Sequence, residues 1–383
     1  NSDPLSIDKF DFSDVTLSEG PTARLLRAYF MDARPFNSMM GYSDISAAYA
    51  MADYNVSSRL RMVGGLRVEH AFLYTDVQLF DSLQLAVDDP RRFITDAGLI
   101  NPGKLDQISF LPSATAIYKL RKDVKSPINL RANFSQTVAR PSLRELSPVA
   151  VFDYEYNTLV QGNTALKMVK INNYDLRLES YFKKGDNVSL SLFYKDFIDY
   201  IEFYEGPAGF SWTNNPNKSW LRGVEIEGKK VLGKYFEFRT NITFVNSRSV
   251  FQQKLSDGKG GFVDGEKVTR TLFGQAPYLV NGILTYSADS IGLQMTVSYN
   301  VQGSRLVIQG DQFIPSVYER ARHLVDFKVS KKLGEFFSVN LKVNDVLNYA
   351  RVRTYRTDDG VYHQDYDRFR YGTNFTLSVA YKL

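Results

Sequence analysis

The stretch Tyr371-Gly-Thr-Asn-Phe-Thr-Leu-Ser-Val-Ala-Tyr-Lys-Leu383 alternates between two kinds of side chain. One set is mostly apolar, and its members are Tyr371, Thr373, Phe375, Leu377, Val379, Tyr381 and Leu383. The other set is small or polar, and its members are Gly372, Asn374, Thr376, Ser378, Ala380 and Lys382. Because successive side chains of a β-strand point to opposite faces, the pattern predicts a strand with one apolar and one polar face.

The same alternation recurs along the chain and predicts thirteen strands. In chain order they span residues 44–54, 60–75, 108–119, 128–138, 173–182, 187–201, 219–231, 235–246, 277–287, 291–303, 322–332, 337–344 and 369–383. A soluble β-sandwich also alternates in this way, so the strands alone do not decide between a soluble and a membrane fold.

The connections between these strands are alternately short and long. Short gaps, such as 183–186 and 333–336, follow the odd-numbered strands, and long gaps, such as 76–107 and 139–172, follow the even-numbered ones. Outer-membrane barrels have short periplasmic turns and long extracellular loops. A soluble all-β fold, the alternative, has no reason to keep all its long loops at one end. The sequence therefore predicts an all-β fold, a transmembrane antiparallel β-barrel.

The composition agrees with this fold. The 383 residues are 44% hydrophobic, yet no run approaches the roughly 18–20 apolar residues of a membrane helix. The mean hydropathy of -0.27 fits a barrel, since only every second residue of a barrel strand faces lipid. The absence of cysteine excludes disulfides, thiol catalysis and thiolate metal sites. The 47 Lys and Arg residues are dispersed among 42 Asp and Glu residues, so no nucleic-acid partner is expected.

Thirteen is an odd number, whereas single-chain bacterial barrels usually have an even number of strands. If the C-terminus is periplasmic, residues 1–43 are an extracellular loop or the end of an upstream hairpin, and residues 44–383 hold the barrel strands. An open sheet edge cannot face lipid, so we expect further strands upstream. The alternative is a fourteenth strand near residues 23–31.

Five stretches resemble the barrel of TonB-dependent outer-membrane receptors. They are Thr137-Val-Ala-Arg-Pro-Ser-Leu-Arg-Glu-Leu146, Lys170-Ile-Asn-Asn-Tyr-Asp-Leu-Arg-Leu-Glu179, Leu221-Arg-Gly-Val-Glu-Ile-Glu-Gly228, Gln275-Ala-Pro-Tyr-Leu-Val-Asn281 and Val343-Asn-Asp-Val-Leu-Asn348. They occur in the family's order, and the resemblance covers the chain from about Tyr42 to its end. The terminus departs from the family, because the chain ends on Leu383 where an aromatic residue is common.

The resemblance implies a 22-stranded barrel with a plugged lumen, of which these thirteen strands are the C-terminal part. The plug, the energy-coupling box and about nine strands are then expected upstream. It further implies an outer-membrane transporter of an iron chelate, glycan or peptide, not an enzyme. Its partners would be the TonB energy-coupling complex, acting through the plug, the lipid bilayer and possible surface lipoproteins. The alternatives are a passive porin-like or assembly barrel without energy coupling, an outer-membrane hydrolase and a soluble adhesin.

Charged residues on the polar faces are predicted to point into the lumen, because such charges would cost roughly 2–4 kcal/mol at the lipid midplane. They are Arg131, Arg177, Glu179, Glu225, Glu227, Lys229, Glu237, Arg239, Asp326 and Lys328. We expect them to pair with each other and with plug residues.

The run Arg140-Pro-Ser-Leu-Arg-Glu145 lies where a predicted strand enters a long loop. Pro141 cannot donate a hydrogen bond to a neighbouring strand, so it ends the strand. Arg140, Arg144 and Glu145 then have two interpretations. They anchor the loop by pairing with neighbours, or they form a charged rim beside the substrate path.

Aromatic residues in the long loops are candidates for ligand contact, because rigid aromatic surfaces suit stacking on sugars and apolar ligands. They are Phe152, Tyr154, Tyr156, Phe203, Tyr204, Phe210 and Trp212. The alternative is that the loops use them to pack on each other.

Catalytic and metal sites are not indicated. The three histidines, His70, His323 and His363, occur without a nucleophile elbow or a metal-ligand spacing. Asp358, Asp359, Asp365 and Asp367 offer oxygen ligands in the last long loop, but their spacing matches no standard Ca²⁺ loop, so a solvated turn is favoured. No cofactor and no metal are therefore expected.

Overall fold

The computed structural model describes residues 39–77, 102–121, 126–153, 158–182, 185–206, 209–256, 262–310, 315–357 and 362–381. Residues 1–38, for which we predict a loop, the end of a hairpin or a strand, lie outside the described residues. In the described part the fold is all-β, as predicted, with one short 3-10 helix, Asp289–Ile291, in a turn. None of the described helical segments has the length and apolar character needed to cross a membrane.

The described strands have the following bounds. They are β1 (Met39–Asn55), β2 (Leu60–Val77), β3 (Gly103–Arg121), β4 (Ile128–Ala139), β5 (Ala150–Asp153), β6 (Thr158–Gln161), β7 (Val169–Tyr181), β8 (Asn187–Ile198), β9 (Tyr200–Gly206), β10 (Gly209–Asn215), β11 (Ser219–Leu232), β12 (Phe236–Ser256), β13 (Phe262–Arg270), β14 (Tyr278–Ala288), β15 (Leu293–Gln302), β16 (Arg305–Ile308), β17 (Ser316–Glu319), β18 (Arg322–Leu333), β19 (Phe337–Asn344), β20 (Arg351–Arg356), β21 (Tyr362–Phe369) and β22 (Asn374–Tyr381).

Thirteen of these strands lie side by side in one antiparallel sheet, the wall sheet. Their order is β1-β2-β3-β4-β7-β8-β11-β12-β14-β15-β18-β19-β22, and β13 pairs with the outer part of β12. Every predicted strand corresponds to one strand of this row, so the predicted number and order are confirmed. Neighbours along the row are neighbours in sequence apart from strands inserted in the long connections, which is the meander expected of a barrel wall.

The register of the wall sheet separates two faces. Leu284, Val297 and Phe327 lie next to one another on β14, β15 and β18, whereas Ser298 is opposite Asp326. On β22, Phe375, Leu377 and Val379 share one face, and each is well over half exposed. Exposed apolar rows of this kind suit lipid, so the polar face is the lumen face.

Several strand ends differ from the sequence prediction, two of them for identifiable backbone reasons. β8 ends at Ile198, three residues early, because Asp199 adopts a positive φ of 57°. β22 begins only at Asn374, since Gly372 has a φ of 83°, and Tyr371 therefore does not continue the lipid-facing row. β1 begins at Met39, five residues before the predicted start.

Two further sheets are built from the long connections. The first loop sheet has the order β5-β6-β10-β9, and the second loop sheet has the order β16-β17-β20-β21. Leu146, Leu166 and Met168 lie in the connection between β4 and β7. They form an apolar cluster with Ala71, Leu73 and Leu105, which holds this connection against the lumen face of β2 and β3. The loops thus fold inward over the end of the wall instead of extending into solvent.

Candidate functional site

The lumen face carries a ladder of charge pairs across neighbouring strands. Arg131 Nε donates to Glu179 Oε1 over 2.7 Å, and Arg177 Nη2 donates to Glu227 Oε2 over 2.5 Å. Ser189 Oγ also donates to Glu227 over 2.9 Å, and Glu225 accepts from Asn241 Nδ2. The structure therefore brings Arg177, Glu179, Glu225 and Glu227 together on β7 and β11.

The ladder continues on the next strands. Lys229 Nζ lies 3.0 Å from Glu237 Oε2, and Arg239 Nε donates to Glu237 Oε1 over 2.6 Å. Asp326 and Lys328 lie farther along the same face on β18. The four glutamates of the ladder lie among four basic residues, Arg131, Arg177, Lys229 and Arg239, so the ladder is nearly neutral and offers no concentrated charge.

The residues after β4 form a loop anchor. Arg140 makes an ion pair with Glu69 of β2, and Arg144 Nη2 lies 3.0 Å from Asp153 Oδ2 of β5. The Ser142 N–H donates to Glu145 Oε2 over 2.7 Å, which closes a tight turn. These contacts favour the anchor interpretation over a charged rim.

The loop aromatics are divided between surface and core. Phe203 is fully buried and Trp212 packs against it with ring centroids 4.8 Å apart, which contradicts the prediction that Phe203 contacts a ligand. Phe152 is 41% exposed. Tyr154 and Tyr156 lie outside the described residues, and only the backbone of Tyr204 is described.

The buried aromatics hold the two loop sheets together. Val160 and Phe203 of the first loop sheet share one apolar core with Val307, Ile308 and Val317 of the second. Partly buried aromatic side chains surround this core, and they are Phe210, Trp212, Phe273, Tyr355 and Tyr366. The alternative interpretation of the loop aromatics, mutual packing, is the one that applies to Phe203, Phe210 and Trp212.

A buried ion pair lies beside this core. Arg270 Nη2 donates to Glu202 Oε2 over 2.7 Å, and the Glu202 side chain is completely buried. Ser249 Oγ donates to the other carboxylate oxygen over 2.9 Å. Burial lowers the pKa of Arg270, and Glu202 opposes that change. An arginine stays protonated under such conditions, so the pair is charged.

Two cavities flank the second loop sheet. The Arg270 cavity, of about 350 Å³, lies between the outer ends of β12 and β13 and the second loop sheet, where Arg270 and Arg356 line it. The Arg322 cavity, of about 230 Å³, is lined by Asn300, Gln302 and Arg322 of the wall sheet and by loop residues that include Arg305. Cavities of this size suit a small polar group.

Carboxylates already pair with the arginines of the Arg322 cavity. Arg305 Nη2 donates to Glu319 over 3.3 Å, and Arg322 Nη2 donates to Asp345 over 2.9 Å. The Arg322 guanidinium also lies 4.7 Å from the centroid of the Tyr371 ring. Arg270 likewise pairs with Glu202, which is not among the described residues that line the Arg270 cavity.

Sequence reasoning did not identify Arg270, Glu202, Arg322 or Arg356. Arg270 and Glu202 are 68 residues apart and meet only through folding of the loop sheets. Among the described residues, no group of three or more His, Asp or Glu side chains is placed to hold a metal ion. The guanidinium, hydroxyl and amide groups that line the two cavities can form hydrogen bonds to a polar group.

Solved structures that are similar to this chain include three bacterial receptors. For the ferric-catecholate import receptor Fiu from E. coli K12 the TM-score is 0.57 at 15% identity, over 90% of this chain and 45% of the receptor. For the ferric yersiniabactin uptake receptor FyuA from Yersinia pestis the TM-score is 0.57 at 16% identity, over 90% of this chain and 47% of the receptor. For the siderophore receptor PiuA from Acinetobacter baumannii the TM-score is 0.58 at 11% identity, over 90% of this chain and 44% of the receptor. The chain thus spans about half the length of the receptors it matches.

No curated protein matches the chain in sequence. The family model of the TonB dependent receptor-like β-barrel matches residues 9–346, which is most of the chain. This match agrees with the antiparallel wall sheet and its short and long connections. The chain therefore belongs to the TonB-dependent receptor β-barrel family, whose members are transporters of the bacterial outer membrane and not enzymes.

Proposed function

We propose that the protein imports a scarce, large nutrient through a plugged barrel, driven by the TonB energy-coupling complex. The observation that carries the proposal is the covered mouth. Two loop sheets share one apolar core above a lumen face lined with charge pairs. Packed loops suit capture of a bound ligand and suit free diffusion poorly, which is why import is preferred to a passive porin-like or assembly barrel.

The partners follow from this proposal. A plug within the lumen would face the charge ladder of β7, β11 and β12, and it would connect the barrel to the TonB complex. The apolar face would contact the lipid bilayer, and a surface lipoprotein could cover the loops. The proposed import requires neither a nucleic acid nor a cofactor.

The cargo belongs to the iron chelate, glycan or peptide class. The structural neighbours are receptors for ferric chelates, and a further one is a copper transporter with a TM-score of 0.56 at 14% identity. Identity at this level establishes the fold alone, so their cargo is not carried over. Contact with the cargo is assigned to the exposed Phe152, to Tyr154, Tyr156 and Tyr204 and to the two cavities.

The test is uptake by the natural host. Cells with and without the gene are given labelled ferric chelates, oligosaccharides or peptides, with and without a protonophore that removes the inner-membrane proton gradient. Energy-coupled import predicts that one class accumulates only when both the gene and the gradient are present. Accumulation that depends on the gene but not on the gradient would instead establish a passive barrel.

A further inference from the structure

An aromatic row crosses the lipid-facing side of the wall sheet near the long connections. It consists of Phe134 of β4, Tyr174 of β7, Tyr194 of β8 and Trp220 of β11, and successive ring centroids lie 5.2, 6.1 and 6.3 Å apart. Exposed apolar residues such as Ile226 continue the same face toward the short turns. Tyr and Trp rings gather at the level of lipid headgroups, so this row marks the outer boundary of the hydrocarbon layer.

Three basic residues lie on the same face beside this aromatic row. Arg222 is two residues from Trp220 on β11, and Arg248 of β12 is opposite Trp220. Lys170 is four residues before Tyr174 on β7. Because strand residues two or four apart point to the same side, all three face away from the lumen. Each of them is exposed, so their charges are available at the level of the headgroups.

The contacts of the two arginines leave their charges uncompensated. The Arg222 guanidinium lies 5.3 Å from the centroid of the Trp220 ring, and Arg248 Nη2 donates to the Thr269 hydroxyl over 3.3 Å. Neither arginine makes an ion pair with any residue that the structure describes. Asp196 of β8, opposite Trp220, is a carboxylate on the same face. Three basic residues against this one carboxylate leave an excess of positive charge.

Arg222 and Arg248 are diagonal neighbours on adjacent strands. Arg222 is opposite Asn246, and Arg248 is two residues farther along β12, a relationship that places Cα atoms about 7–8 Å apart. Two guanidiniums at this spacing repel each other, and an anion between them would remove the repulsion. Guanidinium groups bind phosphate oxygens in a bidentate manner. The pair therefore favours a phosphate group over a neutral headgroup.

We propose that Arg222 and Arg248 bind a phosphate of the glycolipid that forms the outer leaflet of the outer membrane. The apolar residues below them, which include Val224 and Ile226, contact the acyl chains of the same lipid, and the Trp220 ring lies at the headgroup boundary. A soluble anion would gain nothing from these apolar contacts, which is why a lipid is the favoured occupant. The surface faces away from the lumen, so the proposal does not depend on the cargo or on energy coupling.

The experiment is native mass spectrometry of the full-length protein purified in detergent and titrated with lipid A, the phosphorylated anchor of this glycolipid. The matched ligand is the same lipid after its phosphates have been removed, because it keeps the acyl chains and the sugars. We expect a complex with lipid A and at least about tenfold weaker binding of the dephosphorylated lipid. Inorganic phosphate at the same concentration should not displace lipid A.

Variants locate the binding. The double variant Arg222→Gln with Arg248→Gln should weaken lipid A binding by about tenfold or more, because two charged donors are lost. The double variant Arg222→Lys with Arg248→Lys keeps the charges and should lose less. The matched control, Lys234→Gln with Lys332→Gln, removes two exposed charges at the opposite end of the wall and should stay within about twofold. Lys234 is a close match for Arg222, since its Nζ atom also lies 5.3 Å from the centroid of an aromatic ring, that of Tyr235.

Three results would overturn the proposal. Equal binding of lipid A and its dephosphorylated form would show that the phosphate is not recognised. Equal binding by the wild type and the glutamine variant of Arg222 and Arg248 would leave these side chains to a protein partner. Displacement of lipid A by inorganic phosphate would assign them to a soluble anion. A heat-modifiable band on gels establishes that each variant is folded before its binding is compared.

Discussion

Arg270 Nη2 and Glu202 Oε2 form a 2.7 Å hydrogen bond between two different loops, with both side chains almost entirely buried. Ser249 Oγ, which accepts from Asn215 Nδ2 over 2.9 Å, donates to the same carboxylate. The bond joins β9 to β13 and thereby connects the first loop sheet to the outer extension of the wall. This network links the loops beside the Arg270 cavity.

Removing one partner of this pair should loosen the loops. Glu202→Ala leaves the Arg270 charge buried without its carboxylate, a change that costs about 3–5 kcal/mol in comparable buried pairs. Hydrogen exchange of β9 and β13 should accelerate, while exchange of the wall strands should not change. Asp365→Ala, which removes the partner of the exposed Arg368, is the matched control and should cost less than about 1 kcal/mol. Equal effects of the two variants would contradict the central role of Glu202.

Alkaline pH should weaken the loops through Tyr200. Burial, with a contribution from Glu202, raises the pKa of the Tyr200 hydroxyl, which donates to the Phe273 carbonyl over 3.1 Å. The unfolded phenol has a pKa near 10, so above about pH 10 the unfolded loop releases a proton that the folded loop keeps. Stability that is complete below this pH is therefore lost as the pH rises. The loops of Tyr200→Phe should be less stable at neutral pH but should show a smaller alkaline loss, measured by proteolysis between pH 8 and 11.

The two faces of β15 should respond differently to a charge. Val297 is in the apolar row, and Val297→Arg should cost roughly 2–4 kcal/mol near the lipid midplane. Ser298 is its neighbour on the lumen face opposite Asp326, so Ser298→Arg gains a possible ion-pair partner. We expect Val297→Arg to reduce the folded, heat-modifiable fraction in outer membranes and Ser298→Arg to leave it nearly unchanged. Equal losses would mean that the faces are assigned incorrectly.

Gly223 should be intolerant of a side chain. A Cβ at this position would overlap the Phe193 ring and lie 2.5 Å from the Phe244 carbonyl oxygen, so the ring packed across β11 would have to move. Gly223→Ala should destabilise the barrel by about 1–3 kcal/mol, measured by denaturant unfolding in detergent. At Gly282 the nearest atom would be a Phe238 ring carbon at 3.9 Å, and Gly282→Ala should therefore be neutral or slightly stabilising. A tolerated Gly223→Ala would show that both the Phe193 ring and the Phe244 backbone can shift at little cost.

The wall sheet could be predicted because the pattern that defines each strand lies within one short segment of the sequence. Alternation with a period of two is visible in each segment, and a slip of one residue would turn Leu377 and Val379 inward. The strand ends were less predictable, since the positive φ of Asp199 interrupts a sequence that otherwise continues the apolar pattern. The expectation of a lumen and a plug came from the resemblance to the family. The match to the family model confirms that the chain belongs to this family.

The candidate site could not be predicted because its contacts are distant in sequence. The first loop sheet joins residues 150–161 to residues 200–215, and β10 pairs with β6 in a parallel sense that no hairpin pattern predicts. Phe203 is therefore the most instructive error, since an aromatic residue in a loop is as consistent with a buried core as with an exposed binding surface. The signals for β13, namely Phe262, Val263 and Val268 among polar residues, are too few to identify a strand reliably.

The shared core of the two loop sheets has a consequence for recombination between relatives. Val160, Phe203 and Ile308 come from three separate connections, yet they fill one interior. Exchanging a single loop with that of another receptor would leave the remaining loops with an unmatched apolar surface. Chimaeras should therefore transfer these connections together to keep a folded mouth.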